Sequence, residues 1–168
     1  MRILLLILAC GLLHSCAGYR FGGNKPEHLR SVQTISVPLA TSRVVFPRIE
    51  AITTNTTVDA LVNDGTYRLT KSDLADASLH LTVERVTYRQ ARSSTVDVLR
   101  SEELQVEVVV SYKLMDQKRP GVVLDQGQGR GFSRLFVDDN LQTARANAFP
   151  DALDRASKSI IARISDGI

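Results

Sequence analysis

The sequence predicts an α+β fold, an antiparallel/mixed sheet of four to five strands with two helices packed on one face. Three observations lead there. Leu104, Val106, Val108, Val110, Tyr112 and Leu114 alternate with mostly polar residues, the period of a strand with one buried face. Near the end of the chain Leu141, Ala144, Ala148, Phe149, Ala152, Leu153, Ala156, Ile160 and Ile164 recur at helical spacing. Shorter alternating runs are separated by Asn63-Asp64-Gly65 and Pro120-Gly121, which stop and turn a chain.

Taken in order, Ile35, Val37 and Leu39 alternate with Ser36 and Pro38, a strand that the proline ends or confines to an edge. Pro47 suits the first turn of a helix running to about Asn63, against the lower propensity of Thr53, Thr54, Thr56 and Thr57. A short strand is expected from Tyr67 to Thr70. Leu79, Leu81 and Val83 then alternate before the apolar phase shifts to Val86 and Tyr88, and a bulge near Glu84 and Arg85 reconciles the two registers. On the long strand Val108 and Val110 face the core and Glu107 faces water.

A further strand begins at Val122 and places Gly127, Gly129 and Gly131 on one face. That bare face suits a curved edge strand, or a close approach by another backbone or an acyl chain. It is not a dinucleotide loop, because GQGRG lacks the required glycine spacing. Asp139 with Gln142 makes a capping-box-like start for the last helix, which Pro150 must kink or split.

The first residues set the compartment. Arg2, the apolar run Ile3 to Ala9 with Leu12 and Leu13, and a small residue before Cys16 have the layout of a secretory signal. The run falls short of the roughly 20 residues a membrane-spanning helix needs. Leu13-His14-Ser15-Cys16 resembles the lipobox of bacterial lipoproteins, which implies cleavage between Ser15 and Cys16 and acyl chains on Cys16. Cys10 competes for that role but would leave almost no hydrophobic region. The expected organisation is a signal peptide over 1–15, a lipidated N-terminus and tether over 16–30, and one α+β domain over 31–168. Ala17 rather than aspartate follows the cysteine, so resemblance to this class implies the periplasmic side of the outer membrane.

Catalytic signals are missing. Cleavage removes only Arg2 from a formal charge of +3, too mild a balance to indicate nucleic acid. His28 and His80 have no carboxylate or cysteine at metal-ligand spacing, and no nucleophile elbow is present. No cofactor, metal or enzymatic activity is expected.

The stretches CAGYRF, TISVPL, DALVNDGTYRL and ADASLHLTVERVTYR, with the long strand to YKLMD, together resemble the lipopolysaccharide-assembly lipoprotein family, LptE. That resemblance implies a non-enzymatic outer-membrane lipoprotein. Its domain would sit in the lumen of an LptD-like β-barrel, help it assemble and aid delivery of lipopolysaccharide to the outer leaflet. The alternative is a lipoprotein that regulates a cell-wall synthase or joins another envelope assembly. Arg89, Arg92 and Arg100 lie on or beside the connection between the two longest strands. They are the candidate lipopolysaccharide contacts, since guanidinium groups hold phosphate or carboxylate bidentately, with Tyr88 offered beside the sugar. The competing reading is a solvated loop. Lys118 and Arg119 belong to the next turn, at the opposite end of an up-and-down sheet.

Replacing Cys16 by Ala is expected to abolish acylation and leave the chain unprocessed or released, whereas Cys10→Ala changes little. Intact-mass spectrometry of the membrane fraction decides it, and an unmodified N-terminus at Ala17 or beyond would end the lipoprotein reading.

Overall fold

A computed structural model describes residues 25–92, 102–137 and 141–167. Within them one mixed sheet contains β1 (Thr34–Ser36), β2 (Thr41–Ser42), β3 (Arg68–Leu69), β4 (Ala77–Arg92), β5 (Glu102–Asp116) and β6 (Val123–Val137). Their order is β3-β1-β4-β5-β6, and β2 pairs with β4 farther along the edge that β1 begins. The β1, β2 and β3 pairings are parallel, whereas β4, β5 and β6 form an antiparallel meander. The expected strand count omits β2, whose two residues carry no periodic signal. Pro38 follows β1 closely and has no N–H to donate, so pairing lapses until Thr41 resumes it opposite Thr82.

The long strands keep one apolar face through a bulge. Val83 pairs with Val110 and Arg85 with Val109, leaving Glu84 as the extra residue. Val86 therefore returns opposite Val108, and Tyr88 opposite Val106, on the buried side. A second irregularity, between Gln90 and Arg92, shifts the register once more.

Helices α1 (Ile49–Asp64) and α2 (Leu141–Asp166) cover that side. The first starts later than Pro47 because Arg48 adopts a left-handed backbone, φ 60°, which a continuous helix cannot include. Gly65 ends it with φ 74°, its N–H bonded to the Leu61 carbonyl at 3.2 Å. Two of the threonines that lower helix propensity bond across to α2. Thr57 Oγ1 donates to the Thr53 carbonyl at 2.8 Å and lies 2.9 Å from Ser157 Oγ, with Thr56 Oγ1 3.1 Å from the same hydroxyl. Pro150 does not split α2, which runs as one element with the proline on its exposed side. Asp139 lies outside the described residues.

The three glycines of β6 explain how the layers meet. Gly127 leaves room for the Tyr112 ring, whose Cε1 would stand 3.0 Å from an added Cβ. A methyl group at Gly129 would meet the Ala156 carbonyl oxygen, and one at Gly131 would land on the Ala152 carbonyl oxygen. The bare face is thus filled by the backbone of α2 on an edge strand, and no space remains there for an acyl chain.

At the other end of β4, Asp76 ties three segments together. Its carboxylate accepts from the Gln33 and Thr34 amides at 3.1 Å each, from Thr34 Oγ1 at 3.0 Å and from Lys118 Nζ at 2.8 Å. The Lys118 bond first, and then the Gln33 amide, hold the carboxyl well below the usual carboxylate range. Lys25 Nζ donates to the Val32 carbonyl at 2.7 Å and sits 4.5 Å from the centre of the Tyr67 ring. Burial lowers its pKa while Asp76 opposes the shift. Leu29, in a short 3-10 turn over Glu27–Leu29, is fully buried. Lys25 and Leu29 thus already pack on the domain, although the tether was expected to run to Arg30.

Gly131→Ala is expected to cost about 3 kcal/mol in a urea titration, because helix backbone must move, whereas Gly127→Ala costs about 1 kcal/mol as the Tyr112 ring yields. Asp76→Asn is expected to destabilise by about 2 kcal/mol at neutral pH. Since the folded pKa is depressed, the native contribution of Asp76 is complete above about pH 4, the unfolded value, and is lost as pH falls toward the folded value. The gap between wild type and Asp76→Asn should therefore narrow in acid.

Candidate functional site

The helices occupy one side of the meander, and strand alternation decides what the other side presents. On β5 that open face carries Gln105, Glu107, Val109, Ser111 and Lys113. Pairing sets three rows across the strands: Arg89–Gln105–Arg134, Thr87–Glu107–Phe132 and Arg85–Val109–Arg130. Four arginines thus stand at the corners of a rectangle around Glu107. Its backbone dimensions are about 10 Å across two strand spacings and about 13 Å along four residues.

Arg85, Arg89, Arg130 and Arg134 are all exposed, while Glu107 is 7% and Val109 only 3% exposed. Water is kept from Val109 by its neighbours, and in its row those are Arg85 and Arg130, whose methylene stems can cover apolar surface while the guanidinium groups stay in solvent. A nearly buried carboxylate needs a partner, and Glu107 Oε2 has Arg89 Nη2 at 3.5 Å. Glu107 was expected to face water freely; it lies on the open face but beneath its neighbours. Phe132 is 43% exposed at the edge of the array, an apolar surface among the charges.

The bulge residue Glu84 is already engaged, accepting from Ser111 Oγ at 2.6 Å and pairing with Arg43 at 3.0 Å. No described carboxylate other than Glu107 is paired with the array's Arg85, Arg89 or Arg130. Their guanidinium groups can therefore take phosphate or carboxylate oxygens in bidentate fashion.

The expected contacts are placed differently from the sequence reading. Arg89, expected on or beside the connection, belongs to β4, and its neighbours on the face are Arg85, Arg130 and Arg134. Arg92 is also within β4, at a position opposite Glu103. Arg100 lies outside the described residues. Tyr88 is on the helix side, opposite Val106 and partly buried against the core, so it does not flank Arg89. Lys118 and Arg119 do lie at the opposite end, paired with Asp76 and Asp116. A readable signal was available: Arg85 and Arg89, like Arg130 and Arg134, are four apart, an even spacing that keeps both on one face of a strand. His80 is exposed, and among the described residues no three His, Cys, Asp or Glu side chains converge as metal ligands.

No protein-family model matches the chain. No curated protein matches it either. Its fold is similar to that of the hypothetical protein CT253 from Chlamydia trachomatis, with 11% identity, 80% of this chain and 96% of that one covered, and a TM-score of 0.56. It is also similar to a minor lipoprotein from Acinetobacter baumannii, at 12% identity, 79% and 92% coverage and a TM-score of 0.52. Protein XCC0632 from Xanthomonas campestris gives 15% identity, 84% and 88% coverage and a TM-score of 0.54. The likeness is one of fold; one of these three structures is a bacterial lipoprotein, and none is named as an LptE protein.

Proposed function

We propose that the chain is a lipid-anchored protein of the outer membrane that works by binding and not by catalysis, presenting its arginine-bearing face to the phosphates of lipopolysaccharide beside an LptD-like β-barrel. The four-arginine rectangle is the observation that carries this reading. Lipopolysaccharide offers several phosphate and carboxylate groups a few ångströms apart, which suits paired guanidinium forks better than a single cation. Phe132 adds an apolar contact beside the charges. The sequence resemblance to LptE supplies the barrel partner, and the lipoprotein fold is compatible with it.

Glu107 has a definite role in this arrangement. It acts as a resident counter-ion that holds Arg89 and relieves repulsion among the arginines before an anion arrives. An incoming phosphate then competes with it for Arg89.

Replacing Arg85 and Arg130 together by Ala is expected to weaken binding of purified lipopolysaccharide about tenfold and to flatten its dependence on salt. Arg155→Ala, on the outer surface of α2, should leave binding unchanged, and Glu107→Gln should strengthen it by releasing Arg89. Wild-type binding by a folded double variant would exclude the array as the contact. Mild detergent extraction is expected to bring down a large β-barrel with the chain; recovery of a peptidoglycan synthase in its place would favour the regulatory alternative.

A further inference from the structure

Several features gather at the end of the sheet where β4 begins and β5 finishes. Ile35, Leu69, Ala77 and Asp116 stand at one level there through their pairings. The described chain starts at this end, with Lys25 held on Val32 and Tyr67 and Pro26 lying against Gly167 at the close of α2. Four of the eight exposed large apolar side chains among the described residues are here as well. Leu74 is 68% and Leu69 43% exposed on the connection into β4, while Val122 is 37% and Val123 41% exposed at the turn into β6. The two pairs are joined through Asp76, whose carbonyl accepts from the Gln117 amide at 3.0 Å and whose carboxylate holds Lys118 at 2.8 Å. An open groove of about 570 Å³ continues the apolar surface between Val37, Pro38, Val58, Leu69 and Leu74.

From these juxtapositions we infer that the β5–β6 turn and the Leu69–Leu74 connection form a membrane-docking end, which rests on a phospholipid bilayer through Leu69, Leu74, Val122 and Val123 with Lys71 and Lys118 among the headgroups. The inference rests on acylation of Cys16. Positions 16 and 25 are nine residues apart, so even a fully extended link holds Lys25 within about 30 Å of the lipid. An end that must stay so near the bilayer and carries exposed leucines and valines gains by entering the interface. Mixed charge also fits this occupant. Lys118 and Arg119 are paired with Asp76 and Asp116 yet keep 77% and 67% of their side chains exposed, as contact with zwitterionic and weakly anionic headgroups requires. Arg85 and Arg89 lie roughly 26 and 40 Å along β4 from Ala77, so the arginine rectangle stands clear of the membrane surface on the side of the sheet.

The test uses the full lipidated chain in vesicles of phosphatidylethanolamine and phosphatidylglycerol, carrying single Leu74→Cys, Val122→Cys or Phe132→Cys substitutions labelled with an environment-sensitive thiol probe. Cys16 is blocked by its acyl chains, so each introduced thiol is the one labelled. Blue-shifted emission and quenching by nitroxide-bearing lipid are expected at positions 74 and 122, with neither at 132, an apolar site of similar exposure higher on the sheet. If all three labels stay in water on a chain whose intact mass confirms acylation, the docking end is wrong while the anchor stands. Equal quenching at 132 also overturns it, since the domain would then lie on its side. An intact mass without acyl chains would instead overturn the anchor reading on which the inference rests.

Discussion

Backbone meets backbone where α2 crosses β6, and the rest of the molecule is arranged around that contact. With no Cβ at Gly129 or Gly131, the Ala152 and Ala156 carbonyls sit directly on the strand. Helix and sheet are therefore closer than ordinary side chains permit, and the core between them is built from Phe149, Leu153, Ile160 and Ile164 against the valines and leucines of β4 and β5. Such a contact cannot be repaired by rotamer changes, because neither partner is a side chain. It also uses up one side of the meander completely. With both helices on that side, the opposite side has to be finished with side chains alone.

That second side is covered in an economical way. Val109, nearly dry, has Arg85 and Arg130 as its neighbours across the strands, so long side chains able to shield an apolar position also carry the charges of this face. Two carboxylates illustrate the difference between holding a fold and serving a surface. Asp76 accepts four hydrogen bonds from β1, its preceding residue and the β5–β6 turn, and its charge is spent on architecture. Glu107 pairs with Arg89 at its exposed edge and sits amid further positive charge, so its charge remains available to competition.

Much of the fold was legible because its strongest signals are local. Alternation from Val106 to Leu114 named the buried side of β5, and the phase change between Val83 and Val86 located the bulge before any pairing was known. What escaped depends on pairing between distant segments. Thr41 and Ser42 form a strand only because β4 offers an edge beside them. The arginine rectangle needs the register of β4 against β5 and of β5 against β6, and sequence alone grouped Arg89 with its neighbours Arg92 and Arg100 instead. Tyr88 was read with Val86 on the apolar face, where it lies, yet was also offered beside Arg89; adjacent residues in a strand face opposite ways, so it could not do both. Threonines counted against α1 in the sequence, yet Thr56 and Thr57 are where it meets Ser157, a compensation visible only across the helix pair.

The position of α2 after β6 in the chain has a consequence for how the protein comes into being. A polypeptide delivered N-terminus first presents β1 and β2 long before β4, their partner, has arrived. The hairpins β4–β5 and β5–β6 can close as they emerge, since their partners are neighbours in sequence. Even then the valine face and the bare glycines of β6 stay uncovered until Leu141–Asp166 follows. This helix thus covers the sheet only after every strand has been made, and until it is delivered the nascent chain exposes an adhesive face that α2 is shaped to cover.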